Sequence, residues 1–477
     1  MPSKRAVAHG SARAVAGLIG IAVAAAAVIA ATWLPLPGVT AAIPSQTVTP
    51  VPADQQRTCP GPLLKLAADS ADATASSAFG TPAMVFDASP GAPQTSSLKS
   101  PDDRLSGRYG APTVVSVSAQ PGDSAAPSIA GAQSQTAVEE DLSGFAAAGC
   151  GEASRSSWLV AGATDLGQTS LVLLSNPTAV QASVNLSVYA ESGAIQAPGA
   201  QGILVDAGSQ RVIALAGIAP NVKAPVVHVQ STGGSVVATL QQSVVRGLTP
   251  GGVELAAPTS APAKHQVISG MTVADLAAQT GAVDGYSDTM PALRVLVPGD
   301  KPATVRVGIT PEKGTAGGTS TQAKLQPKTV QELPLDNLVN GSFTVTIDSD
   351  QPVVVAARVS TSGPAGADFA WYAASDALVG DTMIAVAPGP GAAVHLTNPR
   401  ATDATVSLRS AAGATGQTVT VAVNSAMAVP VRTGITYTMT GATGLFASVS
   451  YEGGGLSSAF PIEPPGVLAS PITVYPK

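Results

Sequence analysis

Ser96-Ser97-Leu98-Lys99 spells the S-x-x-K in which a nearby lysine helps to activate a nucleophilic serine. That chemistry needs the companions S-D-N and K-T-G, and the chain contains neither. The serine should also open a helix, whereas GAPQTSSLKSPDD around it reads as loop. The other serine arrangement, G-x-S-x-G on a strand-to-helix turn, is absent. Paired carboxylates could cleave glycosides, and Glu139-Glu140-Asp141 and Asp102-Asp103 are the available clusters. Both read as solvated loop faces. The four histidines, His9, His228, His265 and His395, form no H-x-H, H-E-x-x-H or Cys/His cluster, so no catalytic zinc is predicted. Asp348-Ser349-Asp350 resembles half a calcium loop. It lies between the strand-like runs FTVTI and PVVVAARV, where Asp and Ser favour a turn. No glycine-rich phosphate loop follows a strand and opens a helix. No catalytic residue, cofactor or metal ligand is therefore assigned.

Cys59 and Cys150 are the two cysteines of the chain. In an exported protein an even pair is expected to form a disulfide. No C-x-x-C is present, and no histidine lies between His9 and His228 to activate a thiol.

The elements that would position any such groups are read from composition and period. Charged residues are 11% and aromatics 4%, against 49 glycines and 39 prolines in 477 residues. A chain so poor in long charged side chains makes few salt-bridged helical faces, and short aliphatic strands with many turns are expected instead. LLSNPTAVQASVNLSVY (Leu173–Tyr189) and HLTNPRATDATVSLRSA (His395–Ala411) repeat one phrase, Asn-Pro followed by alternating Ala-x-Val-x-Leu. LRVLVPGDKPATVRVGI is a third copy without the Asn. Asn176-Pro177 and Asn398-Pro399 are read as structural turns that end one strand and release the next. The runs VVHVQSTGGSVVATL, FTVTIDSDQPVVVAARV and GLFASVSYEGGGLSSAF are read as hairpins. MTVADLAAQTG (Met271–Gly281) could form a short linker helix. Trp371 is expected to plug a sandwich core or a junction between domains.

The expected fold is all-β: tandem Ig-like β-sandwiches after an N-terminal transmembrane helix and a Pro-rich stalk. The segments are 1–34 (basic tip and anchor, or signal peptide), 35–58 (Pro/Ser/Thr-rich stalk) and 59–165 (a β-rich region closed by the disulfide). Three sandwich repeats follow, 166–262, 263–388 and 389–477. Ala14–Leu34 runs 21 residues without a charge behind Lys4, Arg5 and Arg13. That length suits a spanning helix of about 20 residues with its basic end in the cytoplasm. The alternative is a secreted protein whose signal is cleaved after a small residue such as Ala42. Either way the body is exported. Net charge is −6, and no basic patch is available for nucleic acid.

Three stretches resemble a known family: CPGPLL (Cys59–Leu64), AGCGEASRSSWLVAGATDLGQTSLVLLSNPT (Ala148–Thr178) and DFAWYAAS (Asp368–Ser375). In that order they are similar to the actinobacterial secreted proteins of domain-of-unknown-function family 5719. The resemblance implies a cell-envelope protein without assigned chemistry, and it brings no catalytic residues. The expected role is non-enzymatic: a membrane-tethered scaffold, spacer or binding module for wall glycan or other envelope proteins. The alternative is an envelope enzyme or accessory subunit acting on glycan, with its site in 59–165.

Overall fold

The computed structural model describes residues 46–48, 52–66, 75–120, 125–275, 288–313, 318–336, 338–410, 413, 416–464, 466 and 472–474. Two compact units divide the chain. In one, Gln46–Val48 pairs antiparallel with Ile472–Val474. The other spans Pro50–Ser470 and holds everything described below. Ala14–Leu34 and His9 lie outside the described residues. Among those described, no helix is long and apolar enough to cross a membrane. The 35–58 stalk is not free throughout. Gln46–Val48 is a strand, and Gln55–Cys59 pairs with Thr113–Val117, with Gln55 and Thr58 buried.

The body is all-β, and its sandwiches follow one plan three times. In the first, the eight strands in chain order are Ser156–Leu159, Gln168–Asn176, Ala182–Ala190, Gly193–Ile195 with Ile203–Val205 as a split fourth, Ser209–Ala214, Val226–Gly233, Val237–Arg246 and Thr249–Ala256. One sheet orders them first-sixth-third-fourth, the other fifth-second-seventh-eighth. The third sandwich repeats this order with Thr382–Val386, Ala393–Asn398, Ala404–Ser410, Gln417–Val421, Ser425–Pro430, Ile435–Thr440, Phe446–Gly453 and Leu456–Pro461. The middle one uses Ala263–Val273, Ala292–Leu296, Ala303–Pro311, Thr319–Leu325, Val330–Pro334, Gly341–Gly363 and Gly366–Ala373. Its 23-residue strand supplies both the sixth and the seventh positions. The first half pairs in one sheet and the second half in the other. An immunoglobulin constant domain sets its first strand beside the second and its seventh beside the sixth. Here the first lies beside the sixth and the seventh beside the second, so the connectivity is different.

Period two forms these strands. Along Ala182–Ala190, Val184, Leu186 and Val188 are buried, and the intervening Asn185 is exposed. Each sandwich encloses a largely aliphatic core between its sheets, and that of sandwich one runs on into Leu296, Val354, Phe369 and Trp371 of sandwich two.

The strands correct the sequence reading at several points. The strands that open sandwiches one and three, Ser156–Leu159 and Thr382–Val386, precede the expected boundaries at 166 and 389, and the Asn-Pro turns follow the second strand of each. Val226–Gly233 and Val237–Arg246 belong to opposite sheets, so Gly233-Gly234 is a crossing between sheets and not a hairpin turn. FTVTIDSDQPVVVAARV is likewise part of one strand; GLFASVSYEGGGLSSAF is a hairpin. Met271–Val273 ends a strand, and residues 276–281 of the expected helix lie outside the described part.

Residues 59–165 do not form a fourth copy. Their longest strands, Ser128–Glu139 and Leu142–Gly149, form a hairpin that the sandwiches surround. Phe145 and Ala147 face the core of sandwich three, while Ala146 and Ala148 face a smaller core shared with sandwich one. The segment Pro60–Leu64 is held mainly by glutamine side chains. Gln133 Oε1 accepts from Gly61 N–H (2.9 Å) and Gln133 Nε2 donates to Gly61 O (2.6 Å). Gln241 does the same for Leu64 (2.9 and 2.6 Å), Gln135 accepts from Leu63 N–H (3.0 Å), and Gln210 donates to Pro60 O (2.9 Å). Every backbone N–H of this proline-interrupted stretch thus meets an amide.

Cys59 and Cys150 form a disulfide that closes a loop of sequence separation 91. Cys59→Ser should lower stability by about 2–5 kcal/mol, chiefly by freeing the unfolded chain. The urea midpoint of the oxidised protein measures this, and an unchanged midpoint would mean that the bridge carries no stability.

Candidate functional site

A carboxylate, an imidazole and a hydroxyl meet where sandwich two packs on sandwich three. Glu312 follows the third strand of sandwich two. His395 and Ser450 lie on neighbouring strands of sandwich three, on the face turned away from its core. Glu312 Oε2 is 2.6 Å from His395 Nδ1, and His395 Nε2 is 2.7 Å from Ser450 Oγ. Glu312 Oε1 accepts from the Gly270 N–H at 3.0 Å. The order acid–imidazole–hydroxyl is that of a catalytic triad. Its surroundings are not. The Glu312 and His395 side chains are 1% exposed and Ser450 is 3% exposed. The neighbouring hydroxyls, Ser269 with Thr397 (2.8 Å) and Thr344 with Thr397 (2.9 Å), are spent on bonds between the two sandwiches. In this setting the histidine ties a strand of one sandwich to a carboxylate of another, and no substrate carbonyl can reach Ser450.

A second latch joins sandwiches one and two. Arg294, on the second strand of sandwich two, is fully buried. Its Nη1 donates to the Gly162 and Pro225 carbonyls (2.8 and 2.9 Å) and its Nη2 to the Lys223 carbonyl (3.2 Å), all in sandwich one. Nε and Nη2 also donate to Glu332 Oε1 at 3.1 and 2.8 Å. All five N–H groups are used. The guanidinium lies 4.5 Å from the centre of the Trp371 ring. Trp371 Nε1 donates to Gln242 Oε1 of sandwich one at 2.7 Å. Trp371 therefore occupies a junction between domains. Burial pushes the Glu332 carboxyl up, but the Arg294 and Arg358 charges outweigh it and hold it below its ordinary value.

At the centre, the last strands of all three sandwiches pack with Leu142–Gly149. Asp368 accepts there from the N–H groups of Phe145 (2.8 Å), Val253 (3.2 Å) and Ser457 (3.2 Å), one from each neighbouring element. Gly144 and Gly252 make room for it. A Cβ on either would come within 2.6 Å of Asp368 Oδ1. Glu254 is buried beside it and bonds Ser458 Oγ at 2.8 Å.

A family model matches residues 105–433, which takes in all of sandwiches one and two and most of sandwich three. The chain belongs to the family of unknown function DUF5719. No curated protein and no solved structure matches it. The DUF5719 match contains Glu254, Arg294, Glu312, Asp368, Trp371 and His395; Ser450 and Ser458 follow its end.

The residues singled out by sequence in this DUF5719 chain are spread over the body. Ser96 and Ser97 sit on an exposed edge strand, not a helix. Asp102 pairs with Arg211 (2.6 Å), Asp103 accepts from the Ala78 and Leu105 N–H groups, and Asp141 pairs with Lys65. Glu139 and Glu140 are exposed. Asp348 is 2.8 Å from His265, and Asp350 accepts from the Thr304 N–H. No group of three or more metal-ligating side chains assembles among the described residues. His228 stacks on Trp158 with ring centroids 3.9 Å apart, and burial lowers its pKa to about 4. Asn176 and Asn398 are fully buried and close their turns with their side chains. Asn176 Oδ1 accepts from Thr178 N–H, and Nδ2 donates to the Val180 and Val205 carbonyls. Asn398 does the same with Arg400, Thr402 and Val421. Sequence reasoning assigned these turns to the prolines and missed the Asx geometry, although Asn-Pro-Thr carries that signal. Of the latches it pointed only to Trp371, placed in a core or at a junction between domains.

Proposed function

We propose that the chain is a non-enzymatic, exported scaffold of the cell envelope, tethered by Ala14–Leu34, whose three sandwiches act as one stiff body. The observation that carries this reading is the use made of the polar side chains. Glu312, His395, Arg294 and Trp371 bond from one sandwich to the next, Ser450 holds His395 within sandwich three, and among the described residues these groups leave no convergent set facing an open cleft. Inter-domain contacts built on buried, fully bonded charges favour a fixed arrangement over hinged motion. The uncharged segment behind three basic residues and the disulfide support export. A stiff exported body suits wall glycan or other envelope proteins as partners. Crosslinking intact cells and pulling down the ectodomain should recover envelope proteins or wall glycan. Recovery of cytoplasmic proteins alone would overturn export, and glycan cleavage by the purified ectodomain would overturn the non-enzymatic reading.

A further inference from the structure

The hub where the three sandwiches meet holds two carboxyl groups and, among the described residues, no cation. Glu254 comes from the last strand of sandwich one and Asp368 from the last strand of sandwich two; neither forms an ion pair among the described residues. Two adjacent buried carboxylates without a counter-charge cannot both be ionised at ordinary cost. The hydrogen bonds decide which one is neutral. Asp368 receives backbone N–H groups at both oxygens, from three separate elements. That is how a fold solvates a negative charge. Glu254 is met on one oxygen alone: Oε1 lies 2.8 Å from Ser458 Oγ and accepts from the Leu255 N–H at 2.8 Å, while Oε2 is buried with no protein partner among the described residues.

Ser458 points to the same proton. Its hydroxyl accepts from the Ala147 N–H at 2.8 Å, and it lies 3.2 Å from Ala147 O and 2.8 Å from Glu254 Oε1. A hydroxyl has one proton to donate. It can satisfy Ala147 O or a Glu254 carboxylate, not both. A proton on Glu254 Oε1 resolves this, because Glu254 then donates to Ser458 Oγ and Ser458 donates to Ala147 O.

We propose that Glu254 is a proton-binding site, a neutral carboxylic acid whose proton runs through Ser458 to Ala147, and that losing this proton loosens the hub joining the three sandwiches. The groups facing it are few. Leu142–Gly149 contributes no titratable side chain, the adjacent strand of sandwich one offers Gln242, and sandwich three offers Ser457 and Ser458. Sandwich two adds Asp368 and Tyr372, whose phenol burial pushes up to about 12 and which therefore stays neutral. Burial pushes both carboxyls up: at Asp368 backbone N–H groups oppose the rise, while at Glu254 the charge of Asp368 adds to it against the Ser458 hydroxyl and the Leu255 and Ala459 N–H groups. A carboxyl raised by folding stabilises fully below its unfolded pKa and loses that contribution as pH rises toward the folded value.

The test uses the full chain and Glu254→Gln, which keeps the shape of the neutral acid. Wild-type protein should lose stability as pH rises above the ordinary glutamate range toward the raised folded value of Glu254, by up to about tenfold in the folding equilibrium per pH unit. Glu254→Gln should have a shallower slope, keeping only what Asp368 contributes. Equal slopes in the two proteins would overturn the proposal. Should the variant not fold, the infrared spectrum of the wild type carries the test. A protonated-carboxyl band should be present at neutral pH, shift in Ser458→Ala, and vanish as pH rises. Its absence, or a band indifferent to Ser458→Ala, would overturn the assignment.

Discussion

Arg294→Ala should destabilise the protein by about 3–5 kcal/mol, the range for removing one partner from a buried charge network. The substitution strands Glu332 without its partner and leaves the Gly162, Pro225 and Lys223 carbonyls without the donor that joins them to sandwich two. It also removes the cation from the face of Trp371. Arg294→Lys should recover little, since an ammonium offers three donors on a point and cannot reproduce the five-donor fork. Urea unfolding followed by tryptophan fluorescence measures both variants, because Trp371 itself reports the junction. A loss below about 1 kcal/mol, the scale of a surface ion pair, would remove Arg294 from its place as a latch.

Gly270→Ala should be nearly as damaging, at about 3 kcal/mol or more, although it adds a single methyl group. Gly270 sits in a bulge of its strand at φ +74 and donates its N–H to Glu312. A Cβ there would overlap the His395 ring. The ring would have to leave its bonds to Glu312 and Ser450, stranding a buried carboxylate. Gly380→Ala is the matched control. Its φ is +72, with nothing within 4 Å of an added methyl. It should cost about 1–2 kcal/mol, the left-handed backbone term alone. Calorimetry on both variants separates backbone strain from loss of the latch. Equal losses would mean that the Glu312–His395–Ser450 chain contributes nothing.

Period two made most strands legible, as in Val184, Leu186 and Val188. The threefold plan could be read from the recurring Asn-Pro phrase. What local sequence cannot state is the partner of a strand. Gly233-Gly234 between two apolar runs satisfies the hairpin rule, yet the same flexible pair also lets the chain cross from one sheet to the other. The latches were illegible for a related reason. Glu312 and His395 are 83 residues apart, Ser458 and Glu254 204, and only the packing of whole sandwiches brings them together. Trp371 was the exception, because so large a ring in a chain of small side chains has few places to go. The motifs of the family resemblance mark places where the body is joined. CPGPLL is the segment held by glutamines, and DFAWYAAS carries both Asp368 and Trp371.

The glutamine-held segment has a mechanical consequence. Suppose tension enters the body from its N-terminal side, as it would in a tethered protein. At Cys59 the pull divides. The covalent branch passes through the disulfide straight to Cys150, so the chain of residues 60–149 is bypassed and feels the pull only through the pairing of Gln55–Cys59 with Thr113–Val117 and the bonds of Pro60–Leu64. Any residual strain on Pro60–Leu64 falls on amide bonds from Gln133, Gln135, Gln210 and Gln241, spread over separate strands. The central hairpin, Ser128–Glu139 with Leu142–Gly149, thus lies off the covalent line of force. A pull entering there would pass from Cys150 next to Ser156–Leu159, the first strand of sandwich one.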